Sequence, residues 1–156
     1  MIALKTLFFL IFVPGVVAGF VPIKLLRFGA QMDFGVFSYL AFPLWIFGSI
    51  VILWCFWDFV QKGKGTPAPI DPPKELVVSG FYRHVRNPMY VGVLAVIFGH
   101  VLWFGYWNLL IYALVIFSAF HLFVTQYEEP NLKGRFGAAY EKYLNEVPRW
   151  IPRVRK

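Results

Sequence analysis

The sequence is short of most of what a soluble protein's surface requires. Only 15% of its 156 residues are charged, Asp and Glu together number 8, and 59% of the chain is hydrophobic, with a mean hydropathy of +0.63. A soluble domain carries about 25% charged and roughly 45–50% apolar residues. This scarcity of charge excludes a disordered chain, a coiled coil and an ordinary soluble enzyme. Cysteine is almost absent: Cys55 stands alone, which excludes an internal disulfide and a thiolate zinc site. No GxGxxG, GxSxG, HExxH or CxxC occurs, so the usual dinucleotide, serine-hydrolase and zinc-peptidase signatures are missing. Gly63-Lys64-Gly65-Thr66 lacks the spacing and the strand–helix setting of a phosphate loop and reads as linker.

What the chain has is long stretches without charge. Residues 6–23, 34–57 and 87–127 contain no Asp, Glu, Lys or Arg. The first two match the ~20 apolar residues that cross a hydrocarbon core about 30 Å thick. The third, as one helix rising ~1.5 Å per residue, would run about twice that thickness, so it must double back. Gly105-Tyr106-Trp107-Asn108 is the natural turn, combining glycine, asparagine and interfacial aromatics. The expected architecture is all-α: one membrane domain over 1–156 with spans near 2–22, 36–60, 88–104 and 108–127. It has a linker at 61–87, a re-entering hairpin of spans three and four, and a tail at 128–156. Residues 1–18 also fit a cleavable signal, but the run stays apolar to Ile23 and a retained span is preferred. Pro14 and Pro43 predict kinks of the kind that lipid-buried helices tolerate.

Basic residues set the orientation. Lys24 and Arg27 lie in the first loop, whereas the other thirteen of 15 Lys and Arg lie at the N-terminus, in 61–86 and in the tail. The positive-inside rule then places both termini in the cytoplasm, consistent with a cell inner membrane. The excess of basic residues is a topology signal and needs no nucleic-acid partner.

Polar residues concentrate at two places, Ser79 to Gly92 and Gln126 to Leu132. A hairpin between them brings both to one membrane surface, so that Arg83, His84, Arg86 and Asn87 face Glu128 and Glu129. Simple headgroup anchoring with ion pairing would account for the arginines, since an exposed pair contributes only ~0–1 kcal/mol. Two adjacent carboxylates at one span end exceed what anchoring needs. His121 and His100 read as packed, hydrogen-bonded residues. Leu132, Phe136, Tyr140, Tyr143, Leu144 and Val147 recur at helical spacing, predicting one amphipathic helix that Pro148 ends, either an anchor or a lid over the charges.

At these residues the chain resembles the integral membrane methyltransferases that include isoprenylcysteine carboxyl methyltransferase and the phospholipid N-methyltransferases. The resemblance rests on Gly80-Phe81-Tyr82-Arg83-His84-Val85-Arg86-Asn87-Pro88-Met89-Tyr90-Val91-Gly92, on Glu128-Glu129-Pro130-Asn131-Leu132, and on Gly137, Tyr140, Tyr143, Val147 and Pro148 followed by Trp150-Ile151-Pro152. Prenylcysteine enzymes typically carry histidine where this chain has Asn87, which cannot titrate. The resemblance implies S-adenosyl-L-methionine as cofactor and a lipophilic or lipidated methyl acceptor among the membrane lipids, with no metal. It implies catalytic roles for Arg86, Glu129 and His84, and cofactor contacts from Arg86, Asn87, Tyr90, Glu128, Glu129, Leu132 and Tyr140. A carboxylate acceptor would need no base; an amine or hydroxyl would call on His84 or a glutamate. A reductase using NADPH and a non-catalytic membrane subunit are the alternatives, the first lacking its usual C-terminal arginine, aspartate and cysteine positions.

Overall fold

Apolar runs free of breakers become helices here, and glycine and proline mark where they stop. The computed structural model describes residues 13–26, 29–63 and 74–153. Most of the first expected span (residues 2–12) and the middle of the linker (64–73) lie outside them. Five helices are described: α1 (Val16–Leu25), α2 (Gly35–Gln61), α3 (Pro88–Phe104), α4 (Trp107–Phe136) and α5 (Ala138–Glu146). Among the described residues β-pairing is limited to a single bridge, Gln31 to Tyr106. By length and composition α2 and α4 suffice to cross a membrane, while α1 and α3 are shorter apolar helices.

The helices are apolar outward as well as inward. Val51, Ile52 and Cys55 of α2 are buried, as are Val93, Ile97 and Val101 of α3 and Leu109 and Ala113 of α4. Yet Ile46, Ile50 and Trp57 of α2 and Ile111, Leu114 and Val115 of α4 are exposed. A helix that is apolar all round suits lipid and not water. Pro43 falls where a 3-10 turn over Gly35–Leu40 passes into α geometry at Ala41, so its missing N–H lies in the first α turn.

Chain reversal between α3 and α4 falls at Gly105, whose φ of +69° is open to glycine at little cost. A Cβ there would collide with the Met32 carbonyl. The loop after α1 is stitched to this turn: Met32 N–H donates to Gly105 O, Trp107 N–H to Ala30 O at 3.2 Å, and Asn108 Nδ2 to Leu25 O at 2.6 Å. Deeper in, wide π-type geometry over Val16–Phe20 accompanies two side-chain bonds to α1 carbonyls. Tyr112 OH donates to Val17 O at 2.8 Å, and His100 Nε2 lies 3.0 Å from Ala18 O. Trp45 Nε1 donates to His100 Nδ1 at 2.8 Å, so Nε2 carries the imidazole proton and donates in turn. His100 is a packed, hydrogen-bonded residue, as expected.

The tail corrects the sequence reading. One amphipathic helix was expected from Leu132 to Val147, but α4 runs on to Phe136 and the chain breaks at Gly137, where φ is +52° and ψ −129°. That conformation is strained for residues with a Cβ. Beyond it α5 turns Tyr140, Tyr143 and, at its end, Val147 onto Leu132, Phe136 and Leu76.

α2 and α3 cross where Gly48 meets Gly92. A Cβ on Gly48 would come within 2.5 Å of Gly92 O, and one on Gly92 within 2.9 Å of Gly48 O. Small residues permit this approach, and dispersion across it replaces the hydrophobic drive that lipid cannot supply. Gly48→Ala, meeting backbone that cannot step aside, should destabilise the fold by about 1–3 kcal/mol. Gly134→Ala, where nothing lies within 4 Å, should leave it unchanged or gain up to about 1 kcal/mol. Thermal unfolding in detergent micelles reads both.

Candidate functional site

Three segments converge at the end of the helices opposite the Gly105 turn. The first precedes α3. Gly80, with φ +58°, lets the turn Gly80–Arg83 lie against the end of α2, since a Cβ would strike the side chains of buried Asp58 and Trp54. Tyr82 and Val85 are thereby buried, and Tyr143 OH of α5 donates to Tyr82 O at 2.7 Å. Asn87 and Pro88 follow, Pro88 at the first position of α3 where an absent N–H costs nothing. The second segment is the wide turn Val124–Glu128 within α4, closed by Glu129 N–H on Val124 O five residues back. Thr125 Oγ1 donates to His121 O at 2.8 Å within it. The third is Pro148 to Trp150, beyond α5.

At the junction Glu129 lies between two guanidinium groups. Arg149 grips it as a fork, Nε to Oε1 at 2.8 Å and Nη2 to Oε2 at 2.9 Å. Arg86 Nη1 stands 3.3 Å from Oε1, and the Arg86 and Glu129 side chains are only 11% and 16% exposed. Forked arginine–carboxylate pairs are among the stronger polar contacts a protein makes. Burial works to raise the Glu129 carboxyl, but the Arg149 hydrogen bonds and the Arg86 and Arg149 charges outweigh it and hold the group below its ordinary value. Arg86 Nε is buried and has no hydrogen-bond partner among the described residues.

Glu128, next along the chain, lies in different surroundings. Its Oε1 accepts from Tyr90 OH at 2.7 Å. Burial raises its carboxyl above the ordinary value, the Tyr90 bond opposing and the Glu129 charge adding to the rise. The Tyr90 ring packs against Phe120 at 4.5 Å between centroids and near Trp150 at 6.5 Å. Trp150 Nε1 donates to His121 Nδ1 at 3.3 Å, so His121 is also a packed, hydrogen-bonded residue.

Of the residues expected at the site, Arg86, Glu129, Glu128 and Tyr90 are brought together; Tyr140 is buried in a cluster with Tyr143 and Val147, against which Leu132 packs. The Tyr140 hydroxyl is pushed up to about 12, by burial first and the Glu129 charge second, and stays neutral. Asn87 is buried at 8% exposure, but its Nδ2 donates to the Arg149 carbonyl at 3.2 Å, a contact within the protein. His84 stands apart: its side chain is exposed, and its backbone N–H closes the short turn onto Phe81 O. Arg83 is exposed as well. The reading missed Arg149 and gave Trp150 no role, although both directly follow the Val147-Pro148 pair that it singled out.

The adjacent carboxylates should respond oppositely to neutralisation. Glu129's lowered value means its stabilisation is present above the unfolded carboxylate range and lost as pH falls through the folded value. Glu128's raised value means that its ionised form opposes folding. At pH 7 Glu129→Gln should therefore lower stability by about 1–3 kcal/mol, while Glu128→Gln should leave the melting temperature unchanged or raise it. Melting curves of the two variants in one detergent at pH 7 check the sign.

Comparison with known proteins locates this arrangement. The family model for phospholipid methyltransferase matches residues 36–139, about two thirds of the chain. A protein-S-isoprenylcysteine O-methyltransferase of Schizosaccharomyces pombe (strain 972 / ATCC 24843) is 36% identical over 80 residues, covering 51% of this chain and 34% of that protein. The chain thus spans about a third of the length of that relative. Because the family match runs from the start of α2 through Arg86 and the Glu128–Glu129 pair to the first residues of α5, the chain belongs to the phospholipid methyltransferase family.

Proposed function

We propose that this chain is an integral membrane methyltransferase that uses S-adenosyl-L-methionine to methylate a carboxylate, amine or thiol of a lipid or isoprenoid-like acceptor. The observation that carries the reading is the donor and acceptor set at the junction. Arg86, paired with Glu129, presents a buried Nε–H with no partner among the described residues, and the neighbouring Glu128 carboxyl accepts from the Tyr90 hydroxyl. S-adenosyl-L-methionine carries a carboxylate, an ammonium, a ribose diol and a sulfonium, and the residues present fit it. Arg86 can donate to the carboxylate, and Glu128 can accept from the ammonium or the hydroxyls. The Tyr90 and Trp150 faces offer a surface for a cation. When bound, the cofactor supplies an electrophilic methyl group.

The chain's own contribution is placement. Helices apolar on every side admit a lipophilic acceptor, and the ionic cluster at one end fixes the polar reagent. Holding two reactants in line is worth up to ~7–11 kcal/mol in favourable cases. An amine or thiol acceptor must shed a proton, and Glu128, whose carboxyl holds a proton more tightly than usual, is placed to take it. His84, exposed and apart from the cluster, has no part in this reading.

The same reading sets the chain in the membrane. α2, α3, the part of α4 up to residue 127 and the segment ending in α1 form four spans of a single domain, with Glu128 and Glu129 just beyond the fourth. Both termini and the ionic cluster face the cytoplasm, and the 29–34 loop with the Gly105 turn faces the other side of a cell inner membrane. Thirteen of the 15 basic residues then lie on the cytoplasmic side, as the positive-inside rule requires.

Calorimetry on the purified chain in detergent should show S-adenosyl-L-methionine binding. Arg86→Ala and Glu128→Gln should each weaken it about tenfold or more, the loss that accompanies removal of one charge-assisted hydrogen bond. Methyl-labelled cofactor incubated with membrane lipid extract should yield a labelled lipid, identified by mass spectrometry. Folded protein giving no heat at millimolar cofactor would end the proposal.

A further inference from the structure

We propose that Arg149 is a positioning residue: its guanidinium clamps Glu129, and Glu129 in turn fixes Arg86 so that the buried Nε–H of Arg86 is left as the donor for the cofactor's carboxylate. This rests on the cofactor reading above and reassigns two residues within it.

Glu129, expected to touch the cofactor, is already engaged. Three of its roughly four lone-pair sites are taken, two by the Arg149 fork and one by Arg86 Nη1 at 3.3 Å. Two guanidinium groups neutralise it more than fully, so it offers little to a further cation. Arg86 is the opposite case, with Nη1 on Glu129 and Nε buried and unpaired among the described residues. Glu129 therefore holds an arginine and is not the ligand's acceptor. Arg149 is held in place from outside its own side chain. Arg86 N–H donates to Pro148 O at 2.9 Å, Asn87 Nδ2 to Arg149 O at 3.2 Å, and the next residue, Trp150, is bonded to His121 at 3.3 Å. Three pins across three consecutive residues fix the stretch of backbone from which the Arg149 side chain reaches Glu129. Asn87 thus acts through Arg149 and need not contact the cofactor.

The charges facing Glu129 come from every element around it: Arg86 ahead of α3, Glu128 on its own helix, Tyr140 on α5 and Arg149 beyond α5. Tyr140 stays neutral over the range of interest, so the two arginines dominate.

The test is a double-mutant cycle on the full chain in detergent, with S-adenosyl-L-methionine as the calorimetric probe. Arg149→Gln and Glu129→Gln should each weaken binding about tenfold, and the double variant should be no weaker than either, because both remove one linkage. Arg149→Lys, which keeps the charge and loses the fork, should recover part of the loss and guards against misfolding of the glutamine variant. A double variant about a hundredfold weaker than wild type, or an Arg149→Gln variant that binds like wild type, would overturn the proposal. A second readout needs no cofactor. The melting-temperature gap between wild type and Arg149→Gln should be full above the ordinary glutamate value of ~4.3 and should close as pH falls through Glu129's lower one. A gap independent of pH would show Arg149 to be mere packing and also overturn it. If the gap closes as expected but the wild type binds no cofactor at millimolar concentration, the clamp stands and the cofactor reading falls, taking with it the role assigned to Arg86 Nε.

Discussion

A carboxylate held between two guanidinium groups at the edge of an apolar bundle is the contact around which this molecule is arranged. Arg86, Glu129 and Arg149 lie far apart in the chain and meet because α3 and α4 run back on one another from Gly105. Removing such charges from water is expensive, and good geometry with several hydrogen bonds offsets that cost. The location keeps the expense tolerable: the cluster lies at one end of the bundle, where Arg149 retains 30% exposure, and not in its middle. There the polar demands are met by neutral groups, Trp45 to His100 and Tyr112 to Val17.

The sequence made part of this legible. The uncharged run 87–127 is too long to read as one span, and the chain does reverse within it, at Gly105, with Arg86 and Glu129 paired at its two ends. The same charge-counting concealed Arg149, because a basic residue in a basic tail reads as a topology signal. Its partner is set by the path of Pro148 to Trp150, which no periodicity encodes. Asn87 was read as a ligand residue because it stands in a motif; its side chain instead bonds the backbone of that path. The break at Gly137 was hidden because Leu132 and Phe136 before it, and Tyr140 and Tyr143 after it, keep helical spacing across the interruption. His84 was chosen for its chemistry, but the side chain's direction depends on the turn Gly80–Arg83, which the motif does not reveal.

Wide helical turns occur in α1, at the end of α2 and in α4, and those in α1 and α4 serve polar contacts. In α1 the carbonyls of Val17 and Ala18 accept from side chains of α4 and α3. In α4 the widened turn Val124–Glu128 carries the first of the two carboxylates and is followed directly by the second, Glu129, while Tyr127 O accepts from Asn131 Nδ2 at 2.7 Å. An uninterrupted α-helix satisfies its carbonyls internally; widening the turn loosens that pairing and leaves them able to accept elsewhere.

Adjacent residues 128 and 129 show how one short segment holds two electrostatic states. Glu129 is tied to cations and held ionised; Glu128 meets a neutral hydroxyl and holds its proton more tightly. The difference comes from direction, since one carboxyl meets the arginines and the other meets α3 at Tyr90. Tyr90 is then the boundary residue of the site, its ring on Phe120 in the apolar bundle and its hydroxyl on Glu128 in the ionic cluster. A polar methyl donor and a lipid-soluble acceptor share no common solvent, so on the proposed function they must meet where those two environments touch. That requirement singles out the Tyr90–Glu128 junction over the Arg86–Glu129–Arg149 clamp as the place of reaction, and leaves the clamp the separate task of holding the reagent's anionic end still.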